Sequence, residues 1–298
     1  MIVMILSPTL QMHLLVFLLA LTGVFGQLLS LNTTSLVAWR TGIAALVMAL
    51  WLLIRRTAPL RTSPAEAKKM LGIGVLIGAH WLFFYGSLKV SNISICLTGF
   101  ASISLFTAFT EPWLNGTKVV KSEVMLGILV AIGLALIAGF ETQYLLGLTL
   151  AIIGAFLASI LPVLNRRLVL SGTAPETILL WEMPGACLAA LLVHPLLAPY
   201  ATLFHWQPMD FLWMFFLAIV CTVFAHAFHT HLLKKVTAYT CNLLMNFEPI
   251  HGIILGALLF HDYDSLRPAF YAGAAIIILS NFLHLRLNKA TSERITSA

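Results

Sequence analysis

Apolar segments of about 20 residues recur along the whole chain, and no stretch between them is long enough to build a large soluble domain. A hydrocarbon core of about 30 Å takes about 20 helical residues to cross. The repetition therefore confines the chain to a bundle of membrane-spanning helices. Composition agrees: 60% of the 298 residues are hydrophobic and 9% are charged, against about 45–50% and about 25% in soluble domains. Cys96, Cys187, Cys221 and Cys241 all fall inside apolar runs. A free thiol there is a small hydrophobe, so neither a disulfide framework nor a Cys-rich metal site is implied.

Length and hydrophobicity predict ten spans, at residues 9–30, 33–54, 68–90, 92–117, 122–140, 143–168, 176–198, 209–233, 237–260 and 267–286. The first lacks the basic n-region of a cleaved signal peptide and is expected to stay in the mature protein. Arg55, Arg56, Arg61, Lys68, Lys69, Lys118, Lys121, Arg166, Arg167, Lys234, Lys235, Arg286, Lys289 and Arg294 fall on one side of these spans, and only Lys89 and Arg267 on the other. By the positive-inside bias both termini are expected in the cytoplasm. The net charge of +6 then reports orientation and does not point to a nucleic-acid partner.

The two halves echo each other. Gly23-Val24-Phe25 answers Gly154-Ala155-Phe156, Trp39-Arg40 answers Trp181-Glu182, and Ala79-His80 before Lys89-Val90-Ser91 answers Ala225-His226 before Lys235-Val236-Thr237. Each pair maps one span onto the fifth span after it. Five is odd, so the second half enters the membrane from the opposite side. The expected architecture is an all-α membrane protein of ten transmembrane helices in two inverted five-helix repeats, residues 1–141 and 142–298, the form of a secondary transporter with a site at the repeat interface.

Ionisable residues inside spans cost a few kcal/mol or more and turn towards a cavity or a partner. Those present are Arg40, Glu111, Glu182, Glu248, His80, His226, His229 and His251. Two of the acids precede prolines, in Glu111-Pro112 and Glu248-Pro249. Proline has no amide hydrogen and frees the carbonyl four residues back, so Pro112 and Pro249 are expected to act as hinges. At 1.5 Å per residue Glu111 lies about 10 Å from Lys118, whereas Glu248 lies about 20 Å from Lys235. Glu248 is thus the deeper acid, and a dry carboxyl there could load and release a proton near neutral pH.

Arg40 and Glu182 occupy matching places in the inverted halves, at depths about 6 Å apart in a core of about 30 Å. Two readings stay open, a structural ion pair between them or Arg40 forking onto a substrate carboxylate. His226 and His229 share a helical face. Imidazoles can bind metal, relay protons or contact substrate, but spacing completes no metal set and the His-Glu-x-x-His pattern is absent. Aromatic side chains cluster beside the same residues, Trp81 and Tyr85 near His80 and Phe247 near Glu248, where they serve as packing or as a surface for an organic ammonium.

Several of these segments resemble the EamA branch of the drug/metabolite transporter superfamily. They are Trp39-Arg40-Thr41-Gly42, the run His80-Trp81-Leu82-Phe83-Phe84-Tyr85-Gly86-Ser87-Leu88-Lys89, the run from Leu105 to Pro112 with Glu123, and Asn246-Phe247-Glu248-Pro249-Ile250-His251-Gly252. The ninth span departs from the family pattern, ending in Phe260-His261-Asp262 where a Gly-Glu pair is usual. The resemblance implies a multi-pass carrier of a bacterial inner membrane that exports small organic metabolites, amino acids or related compounds among them, by alternating access, without a cofactor. The expected cavity lies between spans three, four, eight and nine. Its polar contacts are expected from Glu248, Glu111, His80, Trp81, Tyr85, His226, His229, Asn246 and Arg40, with protons as candidate partners and the oligomeric state open, a monomer included. A metal-ion or amine/drug efflux carrier is the alternative. An intramembrane enzyme would need a catalytic motif, and none appears.

Overall fold

The structure, a computed structural model, describes residues 8–235, 241, 244, 245 and 247–296. These residues form helices α1 (Pro8–Leu28), α2 (Thr33–Arg55), α3 (Pro64–Val90), α4 (Ile93–Phe100), α5 (Ile103–Asn115), α6 (Lys121–Phe140), α7 (Leu145–Leu170) and α8 (Pro175–Leu197). After them come α9 (Asp210–Phe215), a π-helical segment (Phe216–Phe224), α10 (Ala225–Leu232), α11 (Glu248–Phe260) and α12 (Pro268–Thr296). No strand occurs among the described residues. Eight helical stretches there are long and apolar enough to cross a bilayer, with Glu248–Phe260 and Pro268–Ser280 as shorter apolar helices.

Local chemistry sets the helix starts. Asn32 and Asn92 accept hydrogen bonds from Ser35 N and Ile95 N, both at 2.9 Å, and so cap α2 and α4. Ser63 caps α3, accepting from Glu66 N at 3.2 Å, with Pro64 in the first turn and the Glu66 carboxylate returning to Ser63 Oγ at 3.1 Å. Each such cap stabilises a helix by about 1 kcal/mol. Gly116, at φ +66°, closes α5 in the left-handed conformation that glycine adopts without strain.

The fourth span is not the single helix expected over 92–117. It breaks at Ala101 and Ser102, where Ser102 N and Ser102 Oγ both hydrogen-bond to the Gly99 carbonyl, at 3.2 and 2.8 Å. A serine side chain that competes for backbone acceptors loosens a helix in this way. The two prolines also differ in setting. Pro112 lies inside α5, whereas Pro249 stands in the first turn of α11, where a missing amide forfeits no hydrogen bond. A proline kink within one continuous helix therefore fits Pro112 and not Pro249.

Small residues set the closest crossings. A Cβ on Gly74 of α3 would fall 2.0 Å from the Glu182 carbonyl of α8, and one on Gly185 of α8 would fall 2.2 Å from the Leu71 carbonyl of α3. Bare backbone is what permits such an approach, and it substitutes in lipid for the hydrophobic drive that packs soluble helices. α2, α3 and α8 thereby form one block, with α7 against α3. α6 and α12 pack along each other to one side, beside α5.

One end of the bundle is tied by carboxylates. Asp210 accepts from Ser30 N and Gln207 N at 2.8 Å and from Ser30 Oγ at 2.5 Å. Asp262 accepts from Ser94 N and Ser94 Oγ at 3.1 and 2.9 Å, and Glu141 from Arg267 N at 2.6 Å. Each acid closes a backbone amide of a segment distant in the sequence. At the opposite end, Thr177 Oγ1 and Trp181 Nε1 donate to the Pro59 and Leu60 carbonyls.

Candidate functional site

A cavity of about 120 Å³ opens between the helices, walled by α1, α2, α3, α4, α5, α7, the π-helical segment, α10 and α11, with Met245. At about 30 Å³ per water it has room for several waters, the scale of a small metabolite. Spans three, four, eight and nine all contribute, as expected, and so do the first, second and sixth.

The polar wall gathers residues from distant parts of the chain: Arg40, His80, Asn165, His226, His229 and Glu248. Arg40 is 2% exposed. Its Nε donates to Thr222 Oγ1 at 2.6 Å, one Nη to the Tyr85 hydroxyl at 2.5 Å and the other to the Cys221 carbonyl at 3.3 Å. The guanidinium lies over the Trp81 ring, 3.9 Å from its centroid. Three of its five donors are committed to neutral acceptors, two remain, and no carboxylate among the described residues pairs with it.

The π-helical segment helps to hold this arrangement. Thr222 Oγ1 donates to the Leu217 carbonyl, five residues back, at 2.7 Å, so its remaining lone pair faces Arg40 Nε. Both acceptors that the segment offers to Arg40, Thr222 Oγ1 and the Cys221 carbonyl, lie within this wide turn. π-Helical segments are rare, and the wide turns they contain gather at functional sites.

The ion pair considered between Arg40 and Glu182 is not made. Glu182, fully buried on α8, receives His226 Nε2 at 2.9 Å. That donor saturates the side of the carboxylate that faces α10, while Thr222, Tyr85 and Trp81 occupy the guanidinium. Glu248 is buried at the cavity wall, and no described cation lies within ion-pair distance of it. His80 Nδ1 donates to the Gly154 carbonyl at 3.2 Å, which leaves its Nε2 as an acceptor, and His226 Nδ1 is left as an acceptor by the same logic.

The remaining expected residues divide clearly. Tyr85 stands behind the wall as a partner of Arg40, and Glu111 on α5 is not part of the wall. Asn246 lies outside the described residues. His229 Nε2 turns to Cys241 Sγ at 2.9 Å, away from the acid that His226 meets. Among the described residues no group of three His, Cys, Asp or Glu side chains is placed to hold a metal ion. Thr222, Cys221, Asn165 and Phe100 belong to the site without having been expected there. Asn165 carried a usable signal, an amide in an apolar run three residues after Pro162.

Comparison with known proteins identifies the fold. The profile of the EamA-like transporter family matches residues 7–139 and again residues 145–286. The chain belongs to the EamA-like transporter family. As an EamA-like protein it is a multi-pass membrane transporter of small molecules, and its two matched segments are two copies of the family unit. One solved crystal structure aligns with this EamA-like chain at a TM-score of 0.66 and 19% identity, covering 95% of this chain and 97% of the other. At that identity the likeness concerns the fold. Among curated proteins, none matches.

Proposed function

We propose that this chain is an alternating-access carrier for small zwitterionic metabolites, amino acids or related compounds, and that it exports them across a bacterial inner membrane with both termini in the cytoplasm. One observation carries the reading: among the described residues, a guanidinium without a carboxylate and a carboxylate without a cation border the same buried cavity. Buried charges in a membrane are costly alone, and a ligand bearing both an ammonium and a carboxylate relieves both at once. The two open donors of Arg40 suit a carboxylate. Glu248, the free His80 Nε2 and the Trp81 face suit an ammonium. The ten spans and the inverted repeat, halves 1–141 and 142–298, belong to the same reading, supported by the doubled family match and by the order of the sequence echoes.

A thermal-shift screen of amino acids, amines, carboxylic acids and nucleosides, followed by flux in liposomes, tests this. Stabilisation by amino acids, but not by the matching amine or acid alone, is the expected result. Stabilisation by amines alone would transfer the site to the amine-efflux reading, in which Glu248 and the aromatic wall carry recognition without Arg40.

A further inference from the structure

At the cavity wall, His226 and the buried Glu182 behind it form a pair of titratable groups that the substrate contacts proposed above leave unused. Glu182 is fully buried on α8, and the His226 side chain is 14% exposed, so that the imidazole stands between the acid and the cavity. They meet at 2.9 Å. The second oxygen, Glu182 Oε1, is buried without a hydrogen-bond partner, and so is Oδ1 of Asn165 on the cavity wall. The Asn165 side chain adjoins the same carboxylate. A proton on the carboxyl or a turned Asn165 amide would answer the unsatisfied oxygen, and only the first varies with pH.

We propose that the Glu182–His226 pair is a proton-binding site, the place where this transporter carries a coupling proton apart from its substrate contacts. The proposal rests on the carrier reading above for the word coupling, and on the geometry alone for the proton. Loading transfers one proton from a hydronium ion in the cavity to His226 Nδ1, leaving water. The Nε2 proton then stays on the imidazolium or passes to the Glu182 carboxylate. In either form the pair goes from a net charge of −1 to zero, and unloading returns the proton to water.

The surroundings favour a change of that sign being felt. Charged or titratable groups that line the cavity with His226 are Arg40 from α2, His80 from α3, Cys221 from the π-helical segment, His229 from α10 itself and Glu248 from α11, with Tyr85 of α3 bound to Arg40 behind them. α7 presents Asn165, and α1 presents only Leu19 and Thr22. Arg40 is the one fixed cation in this set, so loading removes one negative charge from the border of the cavity that the guanidinium also lines.

Infrared difference spectra of the purified full-length chain, recorded between acid and alkaline buffer, test the proton site without any substrate. A carboxyl band that titrates in the wild type is expected to vanish in Glu182→Gln, with the imidazole bands shifted in midpoint there, and the carboxyl band is expected to shift in midpoint in His226→Asn. Spectra of Glu182→Gln unchanged from wild type overturn the proposal. Should that variant not fold, an unchanged midpoint in His226→Asn overturns it equally. Liposomes loaded with a mixture of radiolabelled neutral amino acids separate the coupling from the carrier reading. Accumulation driven by a pH gradient is expected to be lost in Glu182→Gln relative to that variant's own exchange of labelled for unlabelled amino acids. Gradient-driven accumulation equal to wild type sinks the coupling role. Absence of exchange in the wild type sinks the carrier reading instead, and the infrared result then stands by itself.

Discussion

Gly133 of α6 and Gly273 of α12 lie backbone against backbone, each so placed that a Cβ on one would come within 2.7 Å of the other's carbonyl oxygen. The contact is reciprocal in its flanks too: the Cβ of residue 133 would meet Ile277, and that of residue 273 would meet Ile137, each four residues on. Alanine at either site forces the helices apart, an overpacking cost of about 1–3 kcal/mol. The two substitutions relieve the same contact, so the double variant is expected to cost less than their sum. Gly72→Ala, with nothing within 4 Å of its Cβ, should be neutral or gain up to about 1 kcal/mol of helix propensity. Thermal unfolding in detergent reads all four, and equal losses at positions 72 and 133 would refute the packing account.

Arg40 offers the second test. Arg40→Lys keeps the charge but cannot reach Thr222, Tyr85 and the Cys221 carbonyl while stacking on Trp81. Charge-assisted hydrogen bonds contribute about 1.5–3 kcal/mol each, so apparent affinity for amino acids should fall about 10- to 150-fold. Competition binding measures it. An Arg40→Lys protein with unchanged affinity would place recognition elsewhere.

Asp262 was not expected to have a defined role, and its partner defines one. It takes both donors of Ser94 at the start of α4. Asp262→Ala should destabilise by about 0.5–2 kcal/mol, the range for losing a helix cap, and Asp262→Asn by less, since an amide oxygen still accepts. The ordering of the two melting temperatures decides.

Asp210 ties Ser30 to Gln207 at the same end, next to the Lys89 ammonium on the Leu29 carbonyl. Three hydrogen bonds at about 0.5–1.5 kcal/mol each mean that Asp210→Ala should shift the balance between closed and open forms of that end by tenfold or more. In protein whose other cysteines are replaced by Ala, labelling of Cys221 on the cavity wall by an impermeant maleimide should accelerate accordingly. A rate equal to that of the parent would show that this tie does not gate the cavity.

Much of this was legible before any coordinates, for a plain reason. Span length is dictated by bilayer thickness, and few residues in an apolar run are ionisable, so Arg40, His80, His226 and Glu248 announced themselves. Sequence gives depth along a helix but not the angle at which a side chain leaves it once neighbours are packed. Arg40 and Glu182 matched in depth, yet one turns to Thr222 and Tyr85 and the other to His226. Neutral partners such as Thr222 and the Cys221 carbonyl carry no mark in an apolar segment. The break at Ala101 and Ser102 was hidden because Ser102 spends its hydroxyl on the Gly99 carbonyl, a competition that hydropathy does not register.

The wide turn at Phe216–Phe224 has a consequence for how this gene can change. It holds one residue more per turn than its neighbours, and both acceptors of Arg40 lie in it. Shortening the segment until it tightens into an ordinary helix would keep the faces of the helices on either side, and the guanidinium would lose its seat without any charged residue having been altered. In its most uniformly apolar stretch, where substitutions among Leu, Ile, Val and Phe look interchangeable, the chain is therefore free in letters and strict in length.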